Sequence, residues 1–304
     1  MGHALSAAMA TGSSGLARSS YAAGMRLFQV DAFADSVFAG NPAAVCLLGG
    51  PAGTRWMQSV AGEMNLSETA FVEPQAAGYG LRWFTPVAEV GLCGHATLAS
   101  AHVLYETGLA EPSEPVRFDS VSGPLTARRE DGLLVLDFPA RPARPAPAPP
   151  GLLTALGVDG AEWTGQAKDD LMVVLGREEE ITGLRPDTVA LAGYGTRGII
   201  VTAPAARPGA DFVSRFFAPG VGIAEDPVTG SAHCTLAPYW AERLSRTELT
   251  GYQASARGGT VRVRVEGDRV LLAGRAVTVF SGQLSDAALP PVTAPAVKGQ
   301  RPTA

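Results

Sequence analysis

"RWFTPVAEVGLCGHATLASA", residues 82–101, has a near twin later in the chain, "RFFAPGVGIAEDPVTGSAHCTLA", residues 215–237. Each opens on an arginine and an aromatic pair, sets a proline four residues after the arginine, crosses a glycine-containing loop and starts a helix of small residues. The second copy carries three more residues between its proline and its helix-opening glycine. The order of features matches as well as their composition, which points to a duplicated unit rather than to chance in a Gly- and Ala-rich chain.

Outward from the first copy, the chain alternates strand and helix signals. "MRLFQVDAF", from Met25, alternates like a strand, and "AGNPAAV" turns into a second apolar run. "TRWMQSVAGEMN" (54–65) puts Trp56, Val60 and Met64 on one helical face and ends at Asn65. "SETAFV" (67–72) and "LRWFTP" (81–86) read as strands, and from Gly94 a helix buries Leu98, Ala101 and Tyr105 before stopping at Gly108. "FPARPARPAPAPPG" (138–151) is too proline-rich for a helix or a central strand and reads as a stiff connector. Beyond it come the strands "DDLMVVLG", "RGIIVTAP" and "DFVSRFFAP", a helix over 230–244, and a hairpin-rich ending over 260–282. The class is α+β with mixed or antiparallel sheets. Strict βαβ alternation and a G-x-G-x-x-G fingerprint are both missing, which disfavours a Rossmann dinucleotide site.

Composition narrows the function. The chain has 304 residues, 46% of them hydrophobic, enough to bury a large core in one or two domains. A net charge of −5 and the lack of a long basic cluster argue against a nucleic-acid partner. The apolar runs are strand-length, so no membrane association is expected. Three cysteines (Cys46, Cys93, Cys234) leave one unpaired under any disulfide scheme, which suggests a reducing, cytoplasmic setting. Residues 1–24 lack the basic and apolar regions of a secretory signal and read as a disordered extension, with Met25 a plausible start.

The chemistry concentrates where each copy enters its helix, at Gly94-His95-Ala96-Thr97 and Gly230-Ser231-Ala232-His233. A helix start offers unpaired N–H groups and the positive end of the dipole, and glycine lets a ligand approach the backbone. Two such starts facing each other would grip an anion, most plausibly a carboxylate. Ordinary capping explains either start taken alone. The Cys and His spacings match no zinc pattern, and no phosphate loop, flavin motif or pyridoxal lysine is present. Neither metal nor cofactor is therefore expected. His102 and His233 read as helix-packing or surface residues.

The motifs "GNPAAV" (40–45), "NLSETAFV" (65–72), "RWFTPVAEVGLCGHATLA" (82–99), "EDPVTGSAH" (225–233) and "QASARGG" (253–259) stand in the order seen in the PhzF, phenazine biosynthesis-like, family. The resemblance covers about residues 25 to 285. It implies a diaminopimelate epimerase-like α+β fold of two similar lobes, each a mixed or antiparallel sheet wrapped around a central helix, with the active site in the cleft between them. The lobes are expected over 25–137, with room for the chain's last strand, and 138–285, with 286–304 as a tail. A homodimer is also implied. Carried over by motif, Glu68 is the acid–base that shuttles a proton between carbons of a small carboxylate substrate. His95, Asp226, Ser231, Gly94, Gly230 and Asn41 are its substrate-binding partners. Burial beside the strand "TAFV" would raise the Glu68 pKa toward a useful range. The main expectation is therefore a cofactor-independent isomerase. Two alternatives stay open: a racemase or epimerase using Cys93, its thiol pKa lowered by the helix dipole, and a non-catalytic small-ligand binding protein. In a two-thiol enzyme the second thiol would fall near Pro227, where this chain has none. The roles of Arg82, Arg215 and Arg257 stay open between substrate binding and structure.

Overall fold

The computed structural model describes residues 25–290; the expected extension over 1–24 and the last fourteen residues of the expected tail lie outside them. The first lobe contains β1 (Arg26–Ala32), β2 (Asn41–Leu47), β3 (Glu68–Gln75), β4 (Gly78–Phe84), β5 (Glu89–Val90), β6 (Val116–Ser120), β7 (Gly123–Glu130) and β8 (Leu133–Pro139). The second contains β9 (Arg144–Pro145), β10 (Trp163–Ala167), β11 (Asp170–Val174), β12 (Gly198–Pro204), β13 (Phe212–Ala218), β14 (Ile223–Asp226), β15 (Glu248–Gln253), β16 (Gly259–Glu266) and β17 (Arg269–Gly274). The last strand, β18 (Ala276–Gln283), returns to pair with β1. An antiparallel pairing of β8 with β17, with Leu136 opposite Leu272, joins the lobes into one continuous sheet.

The duplication read from the sequence is visible in the strand pairing. β2 runs parallel to β3, and β11 parallel to β12. β4 pairs antiparallel with β3 and parallel with β6, just as β13 pairs antiparallel with β12 and parallel with β15. The three additional residues of the second copy are taken up by a 3-10 turn, Pro219–Val221, and by β14, which is longer than β5.

Each lobe wraps one central helix. In the first, Gly94–Glu106, every residue from His95 to Ala101 is buried, as are Val103, Leu104 and Tyr105. A helix enclosed by sheet needs no polar face, which is why the expected one-sided pattern gives way to burial all round. Its threonine and serine are satisfied locally: Thr97 donates to the Cys93 carbonyl (2.6 Å) and Ser100 to that of Ala96 (2.7 Å). The second, Gly230–Leu244, carries Pro238 in its interior. Proline has no N–H to give the carbonyl four residues earlier. That carbonyl, on Cys234, instead accepts the N–H of Arg141 (2.9 Å), so the helix defect anchors the proline-rich connector. The connector also gives a short edge strand, β9, paired with β10.

The peripheral helix Thr54–Met64 packs Met57, Val60 and Ala61 on β3 and β4 and ends at Asn65 in the left-handed region (φ 48°). No helix among the described residues is long and apolar enough to cross a membrane.

Candidate active site

The two central helices meet at their first residues. A Cβ built on Gly94 would lie 3.7 Å from the Gly230 Cα, and the converse distance is also 3.7 Å. The two sets of free N–H groups therefore open on one place. A cavity of about 460 Å³ lies there, walled by both lobes: Glu68, Cys93 and His95 from the first, Arg197, Asp226 and Ser231 from the second.

Glu68 is the first residue of β3, and burial pushes its pKa up from 4.5 to about 7, with the Asp226 charge adding to the rise. The Ser67 hydroxyl and the Cys93 thiol pull the other way but do not prevail. Desolvation likewise raises Asp226 to about 6, against the opposing hydrogen bonds of Thr229 and Asn41. Two buried carboxyls that repel each other share the cost of ionisation, so near neutral pH one of them readily holds a proton.

His95 stands beside them. Its Nε2 lies 3.3 Å from Glu68 Oε2, and burial lowers its pKa to about 3, so the ring is neutral. Asn41 Nδ2 lies 3.2 Å from His95 Nδ1. An ionised carboxylate can only accept, so beside Glu68 the neutral ring keeps its proton on Nε2 and donates it toward that oxygen.

Asn41 requires a correction. Instead of reaching the cavity, it is fully buried behind it; its two amide N–H groups go to Asp226 Oδ1 (2.8 Å) and the Val228 carbonyl (2.9 Å), and its oxygen accepts from Ser67 (3.1 Å). It is a positioning residue that ties the lobes together. Asp226 lines the cavity but has both oxygens engaged, one by Asn41 and one by Thr229 (2.5 Å), so it reaches His95 only through Asn41.

The expectation for Cys93 is also corrected. Its thiol pKa is raised well above the ordinary value, because burial and the Glu68 charge outweigh the helix start. The matching place in the second lobe is Thr229, which stands immediately before Gly230 as Cys93 does before Gly94, two residues on from Pro227. Sequence spacing had disfavoured zinc, yet the fold brings an oxygen of Glu68, the Cys93 sulfur and a ring nitrogen of His95 within 4.8 Å of one another, a donor set of metal-ligand composition. The raised thiol pKa opposes the thiolate such a set would need.

Other roles resolve as structure. Arg82 pairs with Glu89 (2.8 Å) over the Phe84 ring, and Arg215 pairs with Glu225 (2.7 Å) over Phe217. Arg257 holds the Gly40 and Ala39 carbonyls and Asp31. His102 is partly buried beside Thr278 (3.1 Å), and His233 is fully buried, 2.9 Å from the Thr229 carbonyl.

Sequence reasoning missed Ser67, Thr229, Gln253 and Arg197. Gln253 accepts the Thr229 N–H (2.8 Å) and donates to the Asp226 carbonyl (2.7 Å), fixing the loop that carries Asp226. It lies in the motif "QASARGG", but only the fold shows what it touches.

The family model for phenazine biosynthesis-like protein matches residues 30–282. An uncharacterized isomerase of Pseudomonas aeruginosa is 51% identical over 86% of this chain and 98% of its own. An uncharacterized isomerase of Halalkalibacterium halodurans is 47% identical over 85% and 97%. The crystal structure of a PhzF-family protein from Enterococcus faecalis superposes with a TM-score of 0.82 at 42% identity, covering 86% of this chain and 99% of that one. A probable proline racemase from Agrobacterium radiobacter, 13% identical with a TM-score of 0.58 over 86% of this chain and 93% of that one, shares the fold alone. With the paired helix starts, the ordered motifs and a family match over most of its length, the chain belongs to the phenazine biosynthesis-like, PhzF, family.

Proposed function

We propose that this protein is an isomerase that moves a proton between carbons of a small carboxylate-bearing molecule by side-chain acid–base chemistry. The observation that carries the reading is Glu68, a cavity-wall carboxyl pushed up to about 7 beside a neutral imidazole. A group with its pKa near the working pH can both take and return a proton. Its relatives bear the name isomerase, which agrees with this chemistry.

In the proposed step a C–H bond next to an activating group breaks, and its proton passes to a Glu68 oxygen. The electron pair enters the conjugated system of the substrate. A different carbon then takes the proton back, so the substrate's formula is unchanged. The His95 Nε2–H steadies the carboxylate before the transfer, and the amides at Gly94 and Gly230 with the Ser231 hydroxyl hold the substrate anion.

Proton NMR in heavy water, with a panel of small amino and hydroxy carboxylic acids, tests the reading. The wild type should erase a C–H signal of a true substrate, and Glu68→Gln should bind the same acid without erasing it. Equal exchange by both proteins would sink the assignment.

A further inference from the structure

The pairing of the lobes identifies a residue that the motifs do not. Thr69 lies opposite Phe84 on β4, and Ile199 lies opposite Phe217 on β13, with each phenylalanine two residues after its copy's arginine. Counting back one residue makes Gly198 the counterpart of Glu68. One further back, Arg197 is the counterpart of Ser67. Each of these residues also reaches the first side chain after its lobe's helix-opening glycine. Ser67 Oγ lies 3.4 Å from His95 Nε2, and Arg197 Nη1 donates to Ser231 Oγ at 3.1 Å. The same scaffold contact is therefore made twice, once by neutral groups beside the proton shuttle and once by a cation.

Arg197 is built to hold still. Nε donates to Asp170 Oδ1 (2.9 Å), Nη2 donates to the other oxygen of that buried carboxylate, and the guanidinium lies over the Phe216 ring (5.3 Å). The Arg197 N–H and the Thr196 hydroxyl both reach the Asp169 carbonyl (2.9 and 2.5 Å), locking its loop to the hairpin tip of Lys168 and Asp169. Asp170 and Ser231 leave two of the five guanidinium N–H donors without a partner among the described residues, and the side chain lines the cavity. Arg141 and Lys168 also line the cavity, as do the carboxylates of Asp169 and Asp226, whereas its first-lobe lining holds Glu68 and no Arg or Lys.

We propose that Arg197 is the anchor for the substrate carboxylate. It grips that group with Ser231 and the start of the second helix, and so turns the reacting carbons toward Glu68 in the other lobe. The inference rests on the isomerase reading for the identity of the site, and it assigns the two lobes different tasks. An arginine fixed on one edge and open on another suits an oxyanion pair, whereas an uncharged amide of the same shape offers it one neutral acceptor in place of two charged ones.

Binding of benzoate and cyclohexanecarboxylate against their primary amides, followed by ligand-observed NMR and calorimetry, tests this without requiring turnover. The wild type should prefer each acid by about ten- to a hundredfold, as expected for a charge-assisted contact. Glu68→Gln should keep that preference even though it abolishes solvent exchange, so a failed shuttle and a failed anchor are told apart. Arg197→Gln should bring the preference within about twofold, and Arg197→Lys should restore part of it. Because Arg197→Gln strands the buried Asp170 charge, the double variant Arg197→Gln/Asp170→Asn repeats the test on a neutral pair. A preference that survives in the double variant, or a wild type that takes acid and amide equally or takes neither, overturns the anchor.

Discussion

Where the first lobe places Ser67, Glu68 and His95 at the cleft, the second places Arg197, Gly198 and Ser231. Both triplets hang on the same parallel strand pair and the same helix start. One carries a titratable acid whose pKa desolvation lifts to about 7; the other carries a fixed cation and, at the acid's own position, no side chain. A duplicated fold need not duplicate chemistry. The symmetric part supplies two converging helix starts that suit any anion, and in the proposed division of labour the asymmetric part sets which end of a substrate is held and which end reacts.

The comparison breaks most visibly if Glu68 proves dispensable. Glu68→Gln should lower turnover of any substrate found by solvent exchange by on the order of a hundred- to ten-thousand-fold, with binding preserved. The matching place in the second lobe should tolerate no side chain at all: a Cβ on Gly198 would fall 2.0 Å from the Phe216 ring. Gly198→Ala should therefore destabilise the fold by about 1–3 kcal/mol in chemical denaturation. Unchanged stability would show that the second lobe has room for an acid it does not use.

The raised pKa of Glu68 sets the sign of a smaller effect. Because the folded value, about 7, lies above the ordinary 4.5, the folded state binds more protons than the unfolded state between them. The Glu68 contribution to stability should therefore fall as the pH rises across that window and level off above it, which the difference between wild type and Glu68→Gln reads free of the buried histidines. Glu68→Gln removes the penalty, so at pH 8 it should be the more stable protein by up to about 3 kcal/mol, with the advantage gone below pH ~4.5. Identical pH–stability curves would contradict the buried carboxyl. The smallest effect concerns the helix junction. A Cβ on Gly94 meets only ordinary contacts, the nearest at 3.7 Å, so Gly94→Ala should leave stability within about 1 kcal/mol while weakening benzoate binding. A large loss of stability would mean that the glycine serves packing.

The duplication and the two helix starts were legible in the sequence, because glycine placement is a local signal, and the ordered motifs singled out Glu68, His95, Asp226 and Ser231, which the fold places on one cavity. Arg197 was not, since its partners Asp170, Phe216 and Ser231 are brought to it by strand pairing. The Cys93 thiol misled for a related reason. Its place at a helix start is local, but the burial and the Glu68 charge that raise its pKa are tertiary. Counting back from the helix-opening Gly-Ser puts the counterpart of Cys93 near Pro227; matching Gly94 to Gly230, which meet in the fold, makes it Thr229. Asn41 was legible as a residue of interest but not as a strut, because three of its four partners belong to other strands and loops.

The division of labour depends first on whether Glu68 is poised to exchange a proton near neutral pH, and carbon-13 NMR of the protein labelled at its glutamate side-chain carboxyls reads that directly. One resonance, absent from Glu68→Gln, should titrate with a midpoint of about 7, apart from the surface glutamates. A Glu68 resonance that titrates with the rest, near 4.5, would contradict the proposed shuttle.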